Sequence, residues 1–227
     1  MGNIYRNGDY IKKNPLYHVD DSSWKAQQIL RMIEQNKLRP QVICDVGCGA
    51  GEILKQLQLH MPKDTKFVGY DISPQAYELC KQRESDKLSF FCEDILQKET
   101  EPFNLLLCID VFEHVEDYIG FLRKLRNKAK YKIFHIPLEL SMYKLFRYTR
   151  LLENRAEVGH LHYFFKDTAL LTLQYSGYEI VDYFYTPASY YKSKGLKAKL
   201  GIKLRSFIEQ DLRARMWGGY SLMVLAS

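Results

Sequence analysis

The stretch that decides the fold is residues 42–51, VICDVGCGAG, an apolar run that closes on three alternating glycines. A helical pattern with Ile53, Leu54 and Leu57 follows it, so the predicted order is strand, glycine loop and helix. Glycine tolerates a positive φ and has no Cβ, so the backbone of this loop can approach a ligand closely. Open α/β sheets bind nucleotides at the carboxyl end of the first strand. We therefore expect a nucleotide-containing ligand at this loop.

The sequence of the loop excludes two common kinds of phosphate-binding site, the dinucleotide-binding loop and the P-loop. A dinucleotide-binding loop usually seats its pyrophosphate on a further glycine at the start of the helix, but Glu52 occupies that position here. A carboxylate would repel pyrophosphate. The loop also lacks the Gly-Lys-Ser/Thr sequence of a phosphate-cradling P-loop.

Downstream of the loop, apolar runs alternate with helical patterns. This alternation predicts a parallel sheet wrapped by helices. The predicted strands are 66–73, 88–95, 103–112, 131–137, 178–185 and 219–226. The predicted helices are 22–36, 74–83, 116–129 and 167–175, with an amphipathic stretch at 141–152.

Carboxylates follow three of the later strands. Asp71 ends the second strand, where a carboxylate can accept both hydroxyls of a ribose. Asp94 ends the third strand and could accept the exocyclic amine of an adenine, and Asp110 ends the fourth. Together with the glycine loop, polar groups thus mark four strand ends at one edge of the sheet.

The sequences DVGCGAG, YDIS, CEDI and IDVFEHV, in that order and spacing, resemble the class I S-adenosylmethionine-dependent methyltransferases. The subgroup they resemble includes ubiquinone-pathway O-methyltransferases and many sugar-modifying enzymes. The resemblance covers about residues 40–185, with 219–226 as the antiparallel last strand. It implies an α/β fold with a Rossmann-like, seven-stranded, mostly parallel sheet and helices on both faces. It also implies one domain over 1–227, divided into an N-terminal lid or helix at 1–38, a cofactor-binding core at 40–137 and substrate-side insertions at 138–166 and 186–218.

The implied cofactor is S-adenosyl-L-methionine, with S-adenosyl-L-homocysteine as product. Carried over by position, the three glycines would pass under the methionine part, Asp45 would hold its amine through water, and Ile95 would cover one face of the adenine. The expected cofactor-binding residues are Asp45, Gly47, Cys48, Gly49, Gly51, Asp71, Ile72, Asp94, Ile95 and Asp110. For Asp45 and Asp94 the alternative is a carboxylate that caps a turn or helix.

Methyl transfer to a hydroxyl needs a base, and three histidines are candidates for it. An ordinary imidazole pKa near 6.5 suits this task. His114 follows the fourth strand, and His160 and His162 lie in GHLHYFF. We favour His160, since resembling enzymes carry a similar Gly-His-Leu segment at the active site. The alternative for His114 is that it caps or packs against the following helix. The alternative for His160 and His162 is that one of them only forms a hydrogen bond in its loop.

We expect no metal ion. Glu113, His114, Glu116 and His162 are of types that bind divalent ions, and some related enzymes use a similar acid-x-x-Glu-His element. However, metal-free relatives share the Glu-His pair, and the histidine-rich signature of the RNA enzymes is incomplete here. The five cysteines lack zinc-ligand spacing and are expected to be reduced.

The charge is divided unevenly along the chain. Residues 1–115 hold 14 Lys and Arg against 17 Asp and Glu, whereas 116–227 hold 19 against 10. The basic second half favours an anionic partner. We expect O-methylation of a small anionic hydroxylated metabolite, such as a nucleotide-linked or phosphorylated sugar of polysaccharide biosynthesis. The alternatives are an RNA methyltransferase, although we expect no nucleic-acid partner, and a non-catalytic cofactor-binding module.

No apolar run approaches the roughly 18 residues that a membrane span requires, and we expect a cytoplasmic protein. Residues 192–208 form a basic amphipathic pattern that either docks on the domain or lies on an anionic membrane. Residues 5–24 either fold over the cofactor or pack as an extra helix. The oligomeric state stays open.

Overall fold

The computed structural model describes residue 14 and residues 19–147, 149–187 and 208–227. The strands are β1 (Val42–Val46), β2 (Lys66–Tyr70), β3 (Leu88–Phe91), β4 (Phe103–Ile109), β5 (Ala129–Leu138), β6 (Ile180–Pro187) and β7 (Tyr220–Ala226). The α-helices are α1 (Val19–Gln35), α2 (Glu52–His60), α3 (Pro74–Cys80), α4 (Tyr118–Leu125), α5 (Met142–Phe146), α6 (Thr149–Glu157), α7 (Lys166–Tyr175) and α8 (Gln210–Trp217).

The strands form one seven-stranded sheet in the order β3-β2-β1-β4-β5-β7-β6. The pairs β3–β2, β2–β1, β1–β4 and β4–β5 are parallel, and β7 is antiparallel to both β5 and β6. The predicted mostly parallel sheet with an antiparallel last strand is thus confirmed. The strand order reverses between β1 and β4, and a crevice for ligands forms at such a switch point, beyond the carboxyl ends of the strands.

Both faces of the sheet are buried, which explains the continuous apolar runs in the sequence. Alternate residues of β5 separate the two layers. Ile133 packs with α1 and α2, and Phe134 packs with α4 and α7 on the other face. The side chains buried on the α4–α7 side include Leu122, Leu125, Ala169 and Leu173, and those on the α1–α2 side include Ile29, Met32, Leu54 and Leu57.

Several element bounds differ from the predicted ones. Helix α1 begins at Val19 instead of residue 22, and Asp21 lies inside the helix, where it pairs with Lys25. β2, β3 and β4 end before their acids, so Asp71, Asp94 and Asp110 occupy the loops after the strands. The amphipathic stretch 141–152 is divided between α5 and α6.

Two predicted features lie largely outside the described residues. They are the lid stretch 5–24, described only at residue 14 and from 19 onward, and the basic stretch 192–208, described only at Ile208. Among the described helices, none has both the length and the apolar character needed to cross a bilayer.

Candidate cofactor and active site

The glycine loop adopts a backbone that other residues rarely take. Gly47, Gly49 and Gly51 have φ values of 72°, 54° and 76°. A Cβ added to Gly47 would lie 2.7 Å from Cγ2 of Val111, and one added to Gly51 would lie 2.5 Å from Cζ of Phe90. Two of the glycines are therefore required by both conformation and space.

The neighbouring strand holds this loop at the carboxyl end of β1. The amides of Gly47 and Cys48 donate hydrogen bonds to the carbonyl of Tyr70, at 2.8 and 3.1 Å. The Cys48 side chain is buried. The loop thus crosses the tip of β2, directly before Asp71.

Asp71 fastens the loop from the other side. Its Oδ2 accepts a hydrogen bond from the Gly49 amide at 2.8 Å, and its Oδ1 accepts one from the Ser73 amide at 2.8 Å. Burial raises the pKa of this carboxyl, although those amide donors oppose the shift. Ile72 lies between Asp71 and Ser73 in the chain and is half-buried. The predicted ribose-binding residue is therefore also part of the loop's own framework.

Asp45 lies within β1 and is 1% exposed. Burial raises the pKa of its carboxyl to about 8, the nearby charge of Asp71 adds to the shift, and Lys25 opposes it. A cationic group placed beside this carboxyl would favour its ionised form.

Asp94 caps the 3₁₀ turn Ile95–Gln97. Its Oδ1 accepts a hydrogen bond from the Leu96 amide at 2.9 Å. The Ile95 side chain is buried in the core. The capping role named as an alternative for Asp94 is thus present, and it occupies one of the two carboxylate oxygens.

Asp110 is at the centre of a polar network that the sequence analysis did not foresee. Its φ is 54°, in the left-handed region. Its Oδ1 lies 2.6 Å from His135 Nδ1, and its Oδ2 lies 2.9 Å from Lys25 Nζ. His135 Nε2 in turn lies 2.9 Å from Thr186 Oγ1. Although burial opposes the shift, His135 and Lys25 hold the pKa of Asp110 well below its usual range.

The signal for this network was a histidine inside the apolar run of β5. A buried imidazole requires polar partners, so His135 predicts a network even where its partners are unknown. Lys25 and Thr186 carry no such signal, because their contacts depend on how α1 and β6 pack against the sheet.

Glu52, the residue expected to repel pyrophosphate, is the first residue of α2 and has a cationic partner. Its Oε2 accepts a hydrogen bond from Arg83 Nε at 2.6 Å, and its Oε1 accepts one from Gln56. Although burial opposes the shift, Gln56 and Arg83 lower the pKa of this carboxyl. Arg83, which contacts the first residue of α2, is therefore already paired with a carboxylate.

Two of the candidate base residues lie against each other after β4. The rings of His114 and His160 are 4.7 Å apart between centroids. Burial lowers the pKa of His114 to about 4, and the neighbouring His160 adds to the shift. His114 is therefore neutral near pH 7 and a weak base.

Glu113 is 1% exposed, and its carboxyl lies within 4.8 Å of ring nitrogens of His114 and His160. Its carbonyl accepts hydrogen bonds from the Leu161 and His162 amides at 2.8 and 3.1 Å, which fixes the GHLH segment beside the end of β4. Among the described residues, neither carboxyl oxygen has a hydrogen-bond partner. Burial raises the pKa of this carboxyl well above its usual range, and the charge of Asp110 adds to the shift.

His160 has a second, charged neighbour that the sequence analysis did not name. Its Nδ1 lies 2.7 Å from Oε2 of Glu139, which directly follows β5. Lys144 Nζ lies 3.1 Å from the other oxygen, Oε1. Although burial opposes the shift, His160 and Lys144 lower the pKa of Glu139 to about 2.

His162 has a different environment. Its Nε2 lies 2.9 Å from the carbonyl of Val115, and its ring is 4.2 Å from that of Tyr118 between centroids. A carbonyl oxygen only accepts hydrogen bonds, so Nε2 of His162 is the donor. The ring is thus fixed by the main chain and by an aromatic contact.

One group of side chains in the described part of the chain has the composition of a metal site. Ligand atoms of Glu113, His114 and His160 lie within 4.8 Å of one another. Glu116 and His162, the other two residues considered from sequence, are not in this group. The residues suit a divalent ion in chemical type, and a metal-free site stays our prediction.

The arrangement at the strand ends fits an adenosyl sulfonium cofactor. Gly47, Gly49 and Gly51 add no side chains to the loop, and carboxylates lie within β1 at Asp45 and after β2 and β3 at Asp71 and Asp94. Carboxylates match the positive charge of a sulfonium and an ammonium, and they accept hydrogen bonds from ribose hydroxyls.

Comparison with known proteins decides the family. The family model described as a methyltransferase domain matches residues 20–183, most of the chain. The chain belongs to the class I S-adenosylmethionine-dependent methyltransferases. S-adenosylmethionine is the methyl donor of this family, and the predicted fold, enzyme class and cofactor are thereby confirmed.

Two curated relatives of the methyltransferase act on oxygen, according to their names. The ubiquinone biosynthesis O-methyltransferase of Coxiella burnetii (strain RSA 493 / Nine Mile phase I) is 31% identical over 94 residues, 39% of this chain and 39% of its own. The malonyl-[acyl-carrier protein] O-methyltransferase of Anoxybacillus flavithermus is 32% identical over 100 residues, 42% of this chain and 38% of its own. The matches thus span well under half of these relatives.

Solved structures share the fold at low sequence identity. The magnesium protoporphyrin IX methyltransferase from Synechocystis PCC 6803, with bound S-adenosylhomocysteine, has a TM-score of 0.60 at 15% identity. That likeness covers 90% of this chain and 82% of the other. An N-methyltransferase from Bradyrhizobium japonicum WM9, also with S-adenosylhomocysteine, has a TM-score of 0.57 at 16% identity, covering 89% and 84%.

Proposed function

We propose that this methyltransferase transfers the methyl group to an oxygen of a small, anionic, hydroxylated metabolite, such as a nucleotide-linked or phosphorylated sugar. The observation that carries the oxygen assignment is the pair formed by His160 and Glu139, with 2.7 Å between Nδ1 and Oε2. An alcohol must lose a proton as it attacks, and a histidine held by a carboxylate is suited to accept that proton. The names of the two oxygen-methylating relatives support the same assignment.

The proton balance of the reaction gives His160 its role. The sulfonium supplies an activated methyl group, and its departing sulfur needs no proton. The acceptor oxygen forms a bond to the methyl carbon as the carbon–sulfur bond breaks. The hydroxyl proton passes to Nε2 of His160, since Nδ1 faces Glu139. The remaining task of the protein is to align the acceptor and exclude water.

The three histidines suit the base role to different degrees. His114 is a weak base because burial lowers its pKa to about 4. His162 donates its Nε2 proton to the Val115 carbonyl, which leaves only its other nitrogen as an acceptor. His160 is the candidate that combines a position beside the strand ends with a charged partner. His114 then serves as a neighbour that restricts the ring.

For the cofactor, we propose that Gly47, Gly49 and Gly51 pass under the methionine part and that Asp45 contacts its amine. Asp71 and Asp94 would accept hydrogen bonds from the ribose and the adenine. Cys48 and Ile72 would line the adenosine, and Ile95, whose side chain is buried in the core, would contribute its main chain. Both oxygens of Asp110 have partners in His135 and Lys25, so we propose that this residue acts through its left-handed backbone turn.

The anionic acceptor rests on the basic second half of the chain, with 19 Lys and Arg against 10 Asp and Glu. Mixing the purified protein with fractionated metabolite extracts and methyl-labelled S-adenosylmethionine tests it. We expect label in an acid-stable product that binds an anion-exchange resin. The Asp71→Ala variant is the matched control and should transfer no label. Label only in neutral products, in RNA or on nitrogen would contradict the proposal.

A further inference from the structure

We propose that Glu139 is the positioning residue of the active site, whose carboxylate holds His160 as the Nδ1–H tautomer and thereby leaves Nε2 as the proton acceptor. This inference deepens the proposed function and rests on it for its catalytic meaning. It concerns the proton on a named nitrogen, which is measurable without knowing the acceptor.

The position of Glu139 in the fold suits this role. It directly follows β5, which pairs with β4 on one side and β7 on the other and is therefore fixed within the sheet. His160 lies in the connection between α6 and α7. The 2.7 Å contact thus ties a residue of an insertion to the central sheet. The side chains of Glu139 and His160 are 8% and 13% exposed, so water competes weakly for the bond.

The charge on Glu139 decides the tautomer. Although burial opposes ionisation, His160 and Lys144 lower the pKa of Glu139 to about 2, so the group is a carboxylate at neutral pH. A carboxylate has no proton to donate. The proton of the 2.7 Å bond therefore belongs to Nδ1, and the lone pair of the neutral imidazole is on Nε2.

Lys144 supports the same arrangement from α5. Its Nζ contacts Oε1, while Nδ1 of His160 contacts Oε2, so the two partners engage different oxygens of one carboxylate. Removal of Lys144 would leave the histidine contact in place. The two contacts can therefore be separated by mutation.

His162 provides an internal reference two residues along the chain. Its Nε2 lies 2.9 Å from the Val115 carbonyl and must be the donor, so the neutral ring carries its proton on Nε2. The structure thus predicts opposite tautomers for His160 and His162. A common solvent effect on both rings would not produce that difference.

The pair also has a catalytic consequence. When Nε2 accepts a proton, the imidazole becomes a cation beside a fixed carboxylate, which stabilises the charge formed in the transition state. The bond to Glu139 also restricts rotation of the ring, so the acceptor nitrogen keeps one direction. Both effects depend on the carboxylate of Glu139.

The test is a two-bond ¹H–¹⁵N NMR spectrum of the imidazoles in the full-length protein, at a pH where the histidines are neutral. Signals of His160 and His162 are assigned with the His160→Gln and His162→Gln variants. In the wild-type protein we expect Nδ1–H for His160 and Nε2–H for His162. An Nε2–H tautomer for wild-type His160 would overturn the inference without any variant.

Matched substitutions test the cause. Glu139→Met should convert His160 to the Nε2–H form that free histidine favours, whereas Lys144→Met should leave Nδ1–H in place. Retention of Nδ1–H in Glu139→Met, or its loss in Lys144→Met alone, would contradict the inference. In both variants the His162 signal should match that of the wild-type protein. This match is the control that the fold is intact.

A separate titration with S-adenosylhomocysteine distinguishes the two proposals. Suppose that the wild-type protein shows Nδ1–H for His160 and Nε2–H for His162 but does not bind S-adenosylhomocysteine. The proposed function then fails, while the positioning of His160 by Glu139 stands. If it binds and the His160 tautomer is Nε2–H, the positioning fails while cofactor use stands. Glu139→Met should bind S-adenosylhomocysteine as tightly as the wild type, and a large loss of affinity would assign Glu139 to the cofactor site instead.

Discussion

Two carboxylate–histidine pairs lie near the carboxyl ends of β4 and β5, and they have almost the same geometry. Asp110 Oδ1 is 2.6 Å from Nδ1 of His135, and Glu139 Oε2 is 2.7 Å from Nδ1 of His160. In the first pair the histidine belongs to β5 and its carboxylate to the loop after β4. In the second pair the histidine belongs to a connection and its carboxylate directly follows β5.

The pairs differ at the second imidazole nitrogen. Nε2 of His135 lies 2.9 Å from Thr186 Oγ1, so both nitrogens have partners, and Lys25 completes the network from α1. Among the described residues, the hydrogen bonds of His160 involve Nδ1 alone. The pair of Asp110 and His135 therefore joins α1 to the sheet. The pair of Glu139 and His160 leaves Nε2 available for the proton transfer that we propose. The partner of the second nitrogen distinguishes the two roles.

The largest expected effect is on turnover. His160→Ala should lower kcat by about 10²–10⁴-fold, the usual contribution of a general base, while affinity for S-adenosylhomocysteine stays unchanged. Methyl transfer to an acceptor from the labelled-extract screen measures it. His162→Ala is the matched control and should lose much less. Equal turnover of His160→Ala and the wild type would remove His160 from the mechanism.

The next effect is on stability and concerns the other pair. His135→Ala should lower the free energy of unfolding by about 1–3 kcal/mol, because it removes a buried hydrogen-bond partner from both Asp110 and Thr186. Urea unfolding at neutral pH measures it. His160→Ala should cost clearly less, since that residue lies in a connection. A smaller loss for His135→Ala than for His160→Ala would reverse the assignment of the two pairs.

A smaller effect is expected in the pH dependence of stability. The pKa of Glu139 is lowered to about 2 and that of Asp110 is also below its ordinary value. A depressed carboxyl pKa adds stability above the unfolded-state pKa and loses it as pH falls toward the folded-state value. Asp110→Asn and Glu139→Gln should each weaken the loss of stability between about pH 5 and pH 2. Urea unfolding across this range measures it, and unchanged slopes in both variants would contradict the lowered pKa values of the two carboxyls.

The smallest expected effect is that of metal removal. Treatment with a chelator should leave turnover unchanged, because we assign the Nε2 of His160 to proton transfer. The side chains of Glu113, His114 and His160 make this a direct test, since they lie close enough together to bind an ion. Loss of activity that magnesium restores would mean that this nitrogen binds a metal ion.

The sequence predicted the cofactor half of the site better than the catalytic half. Glycines and acids directly after strands are local signals, since a strand end fixes its neighbours along the chain. The positions of Gly47, Asp71 and Asp94 in the loops after β1, β2 and β3 follow from that rule. The same rule applied to β5 would have drawn attention to Glu139, which the sequence analysis passed over.

The rest could not be predicted because it depends on long-range packing. Lys25 reaches Asp110 only because α1 packs across the sheet, and His160 reaches Glu139 only through the placement of the connection after α6. His135 was hidden in an apolar strand, although a buried imidazole is itself a sign of a network. The predicted start of α1 at residue 22 was wrong, since the helix begins at Val19 and Asp21 lies inside it, paired with Lys25.

The central claim is that the glycine loop, Asp45 within β1 and the acids after β2 and β3 bind an adenosyl sulfonium. Calorimetric titration of the purified protein with S-adenosylhomocysteine, and in parallel with a nicotinamide dinucleotide, tests it most directly. We predict saturable one-to-one binding of S-adenosylhomocysteine and no heat with the dinucleotide. Binding of the dinucleotide without binding of S-adenosylhomocysteine would contradict the account.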